Sequence, residues 1–172
     1  MSSKKDSFNK KDFFPLPEPL IQKNISKVMS LRDGTKKMSK SEESDYSRIN
    51  LKDTADDILK KIKKAKTDTL PLPSKIEELE KRPEAKNLIG IYSSLMNNTL
   101  QKSIDEFDGK NFSDFKEKLS DLLVEKITPI SKEITKLLND EKHLDSILFD
   151  GSQKADKIAS KKIKKIKQLI GF

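Results

Sequence analysis

From Asp53 onward, apolar residues recur at the spacing of a helix face, and before it they do not. Ala55, Ile58, Leu59, Ile62 and Ala65 fall together on one side of a helix. Thr54, with Asp57 three residues later, has the form of a reciprocal helix cap. Pro71 and Pro73 are expected to break this helix, because proline has no backbone N–H to donate. Leu88, Ile91, Tyr92 and Leu95 predict a second helix over residues 87–96. After Gly109 comes the longest seam: Phe112, Phe115, Leu119, Leu122, Leu123, Ile127, Ile130, Ile134, Leu137 and Leu138. Its steps of three and four suit packing against other helices, and Pro129 inside it predicts a kink. A final helix carries Ile158, Ile163, Ile166, Leu169 and Ile170 on one side and a row of lysines on the other. Residues 53–172 thus predict a helical bundle.

The first third is different. Residues 1–12 are Ser, Lys and Asn without periodicity and predict a disordered tail. Pro15, Pro17 and Pro19 then hold the backbone extended. Residues 27–31 predict one short strand, stopped by the turn pair Asp33-Gly34. Residues 36–47 offer almost nothing to bury and predict a mobile loop. One short strand cannot build a parallel sheet. The fold class is therefore mainly α: a helical bundle preceded by an extended segment and a loop.

Composition narrows the chemistry. The 36 Lys and Arg against 28 Asp and Glu leave a net charge of +8, which favours polyanionic partners. No cysteine and a single histidine exclude thiol catalysis and leave little for a transition metal, so no metal ligand is expected. No apolar run is long enough to span a membrane, and an intracellular protein is expected. His143 stands alone and reads as an ordinary surface or packing residue. Asp105, Glu106 and Asp108 read as helix-end solvation. Lys161, Lys162, Lys164, Lys165 and Lys167 suit RNA phosphates, a solvated helix face or an anionic surface.

The most informative stretch is Lys37-Met38-Ser39-Lys40-Ser41. It sets two ammonium groups three residues apart in a polar loop, with two hydroxyls beside them. Such a loop can close on a triphosphate and neutralise charge on a departing pyrophosphate. Lysine acts there as a movable point charge. The competing reading is a solvated Lys/Ser linker.

The string Lys37 to Ser41 resembles the KMSKS signature of class I aminoacyl-tRNA synthetases, and residues 28–41 resemble its tryptophanyl-tRNA synthetase form. The resemblance extends over Phe13-Phe14-Pro15-Leu16-Pro17-Glu18-Pro19-Leu20 and residues 60–68. It continues through Asn87-Leu88-Ile89-Gly90-Ile91-Tyr92, residues 112–130 and residues 151–159. Tyrosine-specific relatives usually carry Gly where this chain has Ser39, so the tryptophan branch fits better.

The resemblance implies an enzyme, tryptophan--tRNA ligase. It would use ATP with Mg2+ as substrate, without a tightly bound cofactor, to activate tryptophan and charge tRNA(Trp). It implies that Lys37 and Lys40 bind the phosphates, Lys40 acting on the transition state. Met38, Ser39 and Ser41 would complete the ATP-binding loop, and Val28 would meet adenine through its backbone. Residues 13–52 would form the C-terminal edge of the catalytic domain, and residues 53–172 the helical region that recognises the tRNA anticodon. The full enzyme would be a cytoplasmic homodimer with no membrane partner. The family's Rossmann-type half, with its HIGH-type motif and tryptophan pocket, is expected to be missing, which makes the chain a fragment, inactive alone. The alternatives are a free-standing helical RNA-binding module without catalysis, and an interaction protein whose basic helices meet an acidic partner or a membrane.

Overall fold

Thr54 opens the first helix, α1 (Ala55–Lys63), by the expected reciprocal cap. Its Oγ1 accepts the Asp57 N–H at 3.2 Å, and its own N–H donates to the Asp57 carboxylate at 3.1 Å. The computed structural model describes residues 14–20 and 27–171. The expected disordered tail, residues 1–12, lies outside the described residues.

Helix α1 stops at Lys63, earlier than the proline break expected at Pro71 and Pro73. The Lys66 N–H donates to the Leu31 carbonyl at 2.7 Å, which turns the chain out of the helix. Lys116 reaches over from a later helix, and its Nζ donates to the Ala65 carbonyl at 2.7 Å and the Lys63 carbonyl at 3.4 Å. A cation at these terminal carbonyls also suits the helix dipole. Four more helices follow: α2 (Pro83–Leu95), α3 (Leu100–Phe107), α4 (Phe112–Leu138) and α5 (Glu141–Ile170). Thr99, Asn111 and Asp140 cap α3, α4 and α5 through side-chain oxygens. Pro83 sits in the first turn of α2, where its missing N–H costs no hydrogen bond.

The core is built where α1 to α4 meet. Ile58 and Ile62 pack with Leu88, Ile89 and Tyr92, with Ile104 and Phe107, and with Phe115, Leu119 and Leu123. At its centre the Phe107 ring meets Phe115 edge-on at 4.9 Å and Tyr92 at 5.0 Å. Burial, helped by the hydrogen bond that Tyr92 donates to Glu106 at 2.8 Å, pushes the Tyr92 hydroxyl up to about 12. Leu31 belongs to this core, and Met38 and Ile49 pack against it. The loop of residues 36–47 is therefore anchored, contrary to the mobile loop expected: Met38 and the fully buried Ser47 tie it down.

Two further expectations are corrected. Residues 27–31 form no strand; Met29 and Lys37 make one isolated antiparallel bridge. The bridge is flanked by the Ser30 N–H to the Lys36 carbonyl at 2.8 Å and the Met38 N–H to the Val28 carbonyl at 3.0 Å. That register points the N–H and C=O of Met29 away from Lys37. The Asn87 side chain takes both, at 2.8 Å each, so no further strand can add there. The long seam, in turn, is buried only as far as Ile127. Ile130 and Leu138 are 45% and 47% exposed, and α5 contains no buried residue. Among the described residues, no position of α4 beyond Ile127 is buried, and α4 also packs on α5. The bundle is thus compact through Ile127, and most apolar residues of α5, such as Leu148, Phe149, Ile158 and Ile170, are exposed, while Leu144 and Ile166 are half-buried.

This division predicts unequal costs along one helix. Phe115→Ala should lower unfolding stability by about 3–5 kcal/mol, through the lost ring and the cavity left behind. Leu138→Ala should cost no more than about 0.5 kcal/mol. Urea midpoints of the two variants check this, and equal shifts would contradict the division.

Candidate functional site

The signature loop starts from a tightly folded turn. Asp33 accepts the Thr35 N–H at 3.0 Å and the Thr35 hydroxyl at 2.6 Å, and these bonds hold its carboxyl below the usual range. Gly34 lies against the start of α2, where a Cβ would stand 2.6 Å from the Glu84 nitrogen and the Pro83 carbonyl carbon. No other residue fits so close an approach. Beside the turn, Lys66 pairs with Glu84 at 2.9 Å, and this contact holds the Glu84 carboxyl low. Arg32 donates to the Lys64 carbonyl at 2.7 Å. The ends of α1 and α2 together clamp the root of the loop.

Within the loop, the Ser39 and Ser41 hydroxyls lie 2.8 Å apart, and the Ser41 N–H donates to the Ser39 Oγ at 3.3 Å. Lys37 and Lys40 are exposed and have no carboxylate partner among the described residues.

An open cleft of 810 Å³ lies beside the loop. Val28, Lys37, Met38, Ser39 and Lys40 line one side of it. Arg48, Ile49, Asn50 and Asp53 line another part of the wall. The structure therefore brings five of the six candidate residues to one cavity. Ser41 is not in its lining and acts on Ser39 instead.

The far wall is knit by charge. The Asn50 N–H donates to Asp53 at 2.8 Å, and its amide nitrogen donates to Asp53 at 3.1 Å and to Asp45 at 3.0 Å. Arg48 pairs with Asp45 at 3.0 Å and donates to the Glu42 carbonyl at 2.9 Å. Lys61, from α1, lies 2.6 Å from both Asp45 and Asp53. Burial opposes its charge, but the hydrogen bonds to the two carboxylates outweigh burial and raise its pKa. The same Lys61 bond, with that from Asn50, holds Asp45 low.

Sequence reasoning assigned no role to Arg48, Asn50, Lys61 and Asn87. Lys61 lies 8 residues from Asp53, and Asn87 lies 58 from Met29, and no capping or helix-neighbour spacing marks either contact. Other candidates fall away from the cleft. His143 is exposed on α5, where its N–H completes the Asp140 cap at 3.1 Å. Asp105, Glu106 and Asp108 each accept a hydrogen bond, from Gln101, Tyr92 and Ser74 respectively. Lys162 of the basic row lies over the Phe14 ring at 5.6 Å.

Residues 5–127 match the family model described as tRNA synthetases class I (W and Y). The chain belongs to this class I tRNA synthetase family. Across 165 residues it is 51% identical to the tryptophan--tRNA ligase of Caulobacter vibrioides, covering 96% of this chain and 48% of that protein. The chain spans about half the length of the curated relatives it matches. Its fold is that of a tryptophanyl-tRNA synthetase structure from Mycoplasma pneumoniae, at TM-score 0.72 and 22% identity over 88% of this chain and 47% of the other. It is also similar to a Campylobacter jejuni tryptophanyl-tRNA synthetase complexed with ADP and tryptophan. That match has TM-score 0.63 and 26% identity, over 94% of this chain and 48% of that one.

Within this synthetase chain, Asp33, Asp45, Asp57 and Glu84 all have carboxyls held below their ordinary values. Their contribution is complete above the unfolded values, 3.8 for Asp and 4.5 for Glu, and is lost as pH falls through the folded ones. Thermal midpoints should be nearly level above about pH 5 and drop steeply below about pH 4. Asp45→Asn should soften that drop. A midpoint that rises on acidification would contradict the assignment.

Proposed function

We propose that this chain supplies the ATP-phosphate loop and the tRNA-binding helices of a tryptophan--tRNA ligase. The observation that carries this reading is the single cleft in which Val28 meets both lysines of the signature loop. In the reaction, the tryptophan carboxylate attacks the α-phosphate of ATP, pyrophosphate leaves, and tryptophanyl-adenylate forms. A ribose hydroxyl at the tRNA terminus then takes the tryptophanyl group, and AMP leaves.

Lys37 and Lys40 would stabilise the charge that gathers on the departing pyrophosphate, with Lys40 the stronger contributor. Their long unbranched stems allow the loop to follow the phosphates as they separate. Ser39 and Ser41 would donate hydroxyl hydrogen bonds, and Met38 roots the loop by packing on the core. Val28, whose carbonyl already accepts the Met38 N–H, would present the backbone edge to adenine. Mg2+ would arrive with the triphosphate. Residues 13–52 would form the edge of the catalytic domain and residues 53–172 the anticodon-binding region, in a cytoplasmic homodimer specific for tRNA(Trp). The Campylobacter jejuni relative complexed with ADP and tryptophan supports the substrate assignment.

The other half of the relatives' length would hold the tryptophan pocket and the platform that aligns the α-phosphate. Positioning accounts for much of the rate in such a reaction. The 172 residues alone should therefore show no tryptophan-dependent ATP–pyrophosphate exchange. A chimera with the uncovered half of the Caulobacter vibrioides ligase should show it, and Lys40→Ala should lower that exchange roughly a hundredfold with little change in helix content. Exchange by the chain alone, or exchange indifferent to Lys40→Ala, would overturn the reading.

A further inference from the structure

We propose that Lys61 is a positioning residue for the nucleotide cleft, fixing from α1 the segment of residues 45–53, of which residues 48–53 line the cleft beside the signature loop. Its catalytic consequence rests on the reading above; its cause rests on geometry alone. Lys61 does not line the cleft, and its side chain is only 5% exposed. Its ammonium is shared between Asp45, on the 3-10 turn Asp45–Ser47, and Asp53, just before α1. A buried cation is tolerated only with such partners, so the two carboxylates have one stable place. They in turn hold Asn50 and Arg48, and Arg48 grips the carbonyl of Glu42, the residue that follows the signature string.

This chain of contacts runs from a buried charge on a rigid helix to the exit of the signature loop. It also settles an electrostatic problem. Asp53 lies in the wall of a cleft assigned to a polyanion, and Asp45 lies behind it. Without Lys61, Arg48 alone would offset the two carboxylates, and the negative charge left over would oppose the triphosphate. Lys61 holds the wall in shape and balances its charge.

Lys61→Met keeps much of the side-chain volume and removes the charge. In the isolated 172-residue chain, an arginine-specific protease should then cut after Arg48 at least about tenfold faster, while cleavage after Arg32, which is held by the Lys64 carbonyl, changes little. Lys61→Arg, which keeps the charge, should recover most of the protection. In the chimera with the Caulobacter vibrioides half, Lys61→Met should raise KM for ATP about tenfold and leave KM for tryptophan within about twofold. Ile62→Val, a change at the adjacent buried position, should lower the thermal midpoint without moving either KM. The proposal is overturned if Lys61→Met matches Ile62→Val in Arg48 cleavage and in KM for ATP. An arginine variant no better than the methionine one would overturn charge sharing as the cause. A wild-type chimera without exchange would overturn the nucleotide reading and the catalytic consequence, while the protease result still decides whether Lys61 fixes the wall.

Discussion

One buried amide sets where the signature loop begins. Asn87, 4% exposed on α2, accepts the Met29 N–H and donates to the Met29 carbonyl. Those backbone groups would otherwise be left unpaired, and an unmet buried polar group costs on the order of 1–3 kcal/mol. Satisfying both from one side chain fixes the position and the register of the segment at once. Val28 and Lys37 are then placed by the bridge, and Gly34 lets the turn rest on the start of α2. The loop reaches outward from a rigid origin, so its free ammonium groups are local in their freedom.

The same logic explains why the molecule has two characters. Up to Ile127, apolar burial and paired charges act together: the Phe107, Phe115 and Tyr92 rings fill the centre, and polar contacts tie residues 29–53 onto it. Beyond Ile127 the pattern of apolar residues continues, but α4 and α5 cover each other only in part, leaving Ile134, Leu137, Leu144 and Ile166 half-buried and the rest exposed. Periodicity reports which face of a helix is apolar. It does not report whether a partner for that face lies within the same chain.

That distinction marks what was legible in the sequence. The Thr54–Asp57 cap, the helices around Leu88 and Phe115, and the loop after the Asp33-Gly34 turn all follow from local spacing. The cleft residues Val28 and Lys37 to Lys40 were found through a family signature, whose string is contiguous. Arg48, Asn50, Lys61 and Asn87 carry equal structural weight, yet Lys61 and Asn87 stand out only as parts of the resemblance and no role is expected of any of the four. Each acts through a hydrogen bond to a place that spacing does not mark, or belongs to a loop without periodicity. The anchored loop was missed for a related reason: a stretch poor in apolar residues can still be held by polar contacts to a core.

The central proposal is that the signature loop takes the ATP phosphates, in a cleft that no residue of α5 lines. Backbone hydrogen exchange on the chimera with the Caulobacter vibrioides half tests it most directly. The account predicts that ATP slows exchange in residues 28 and 36–41 and changes nothing beyond residue 141. Protection confined to α5, with residues 36–41 unaffected, would contradict it.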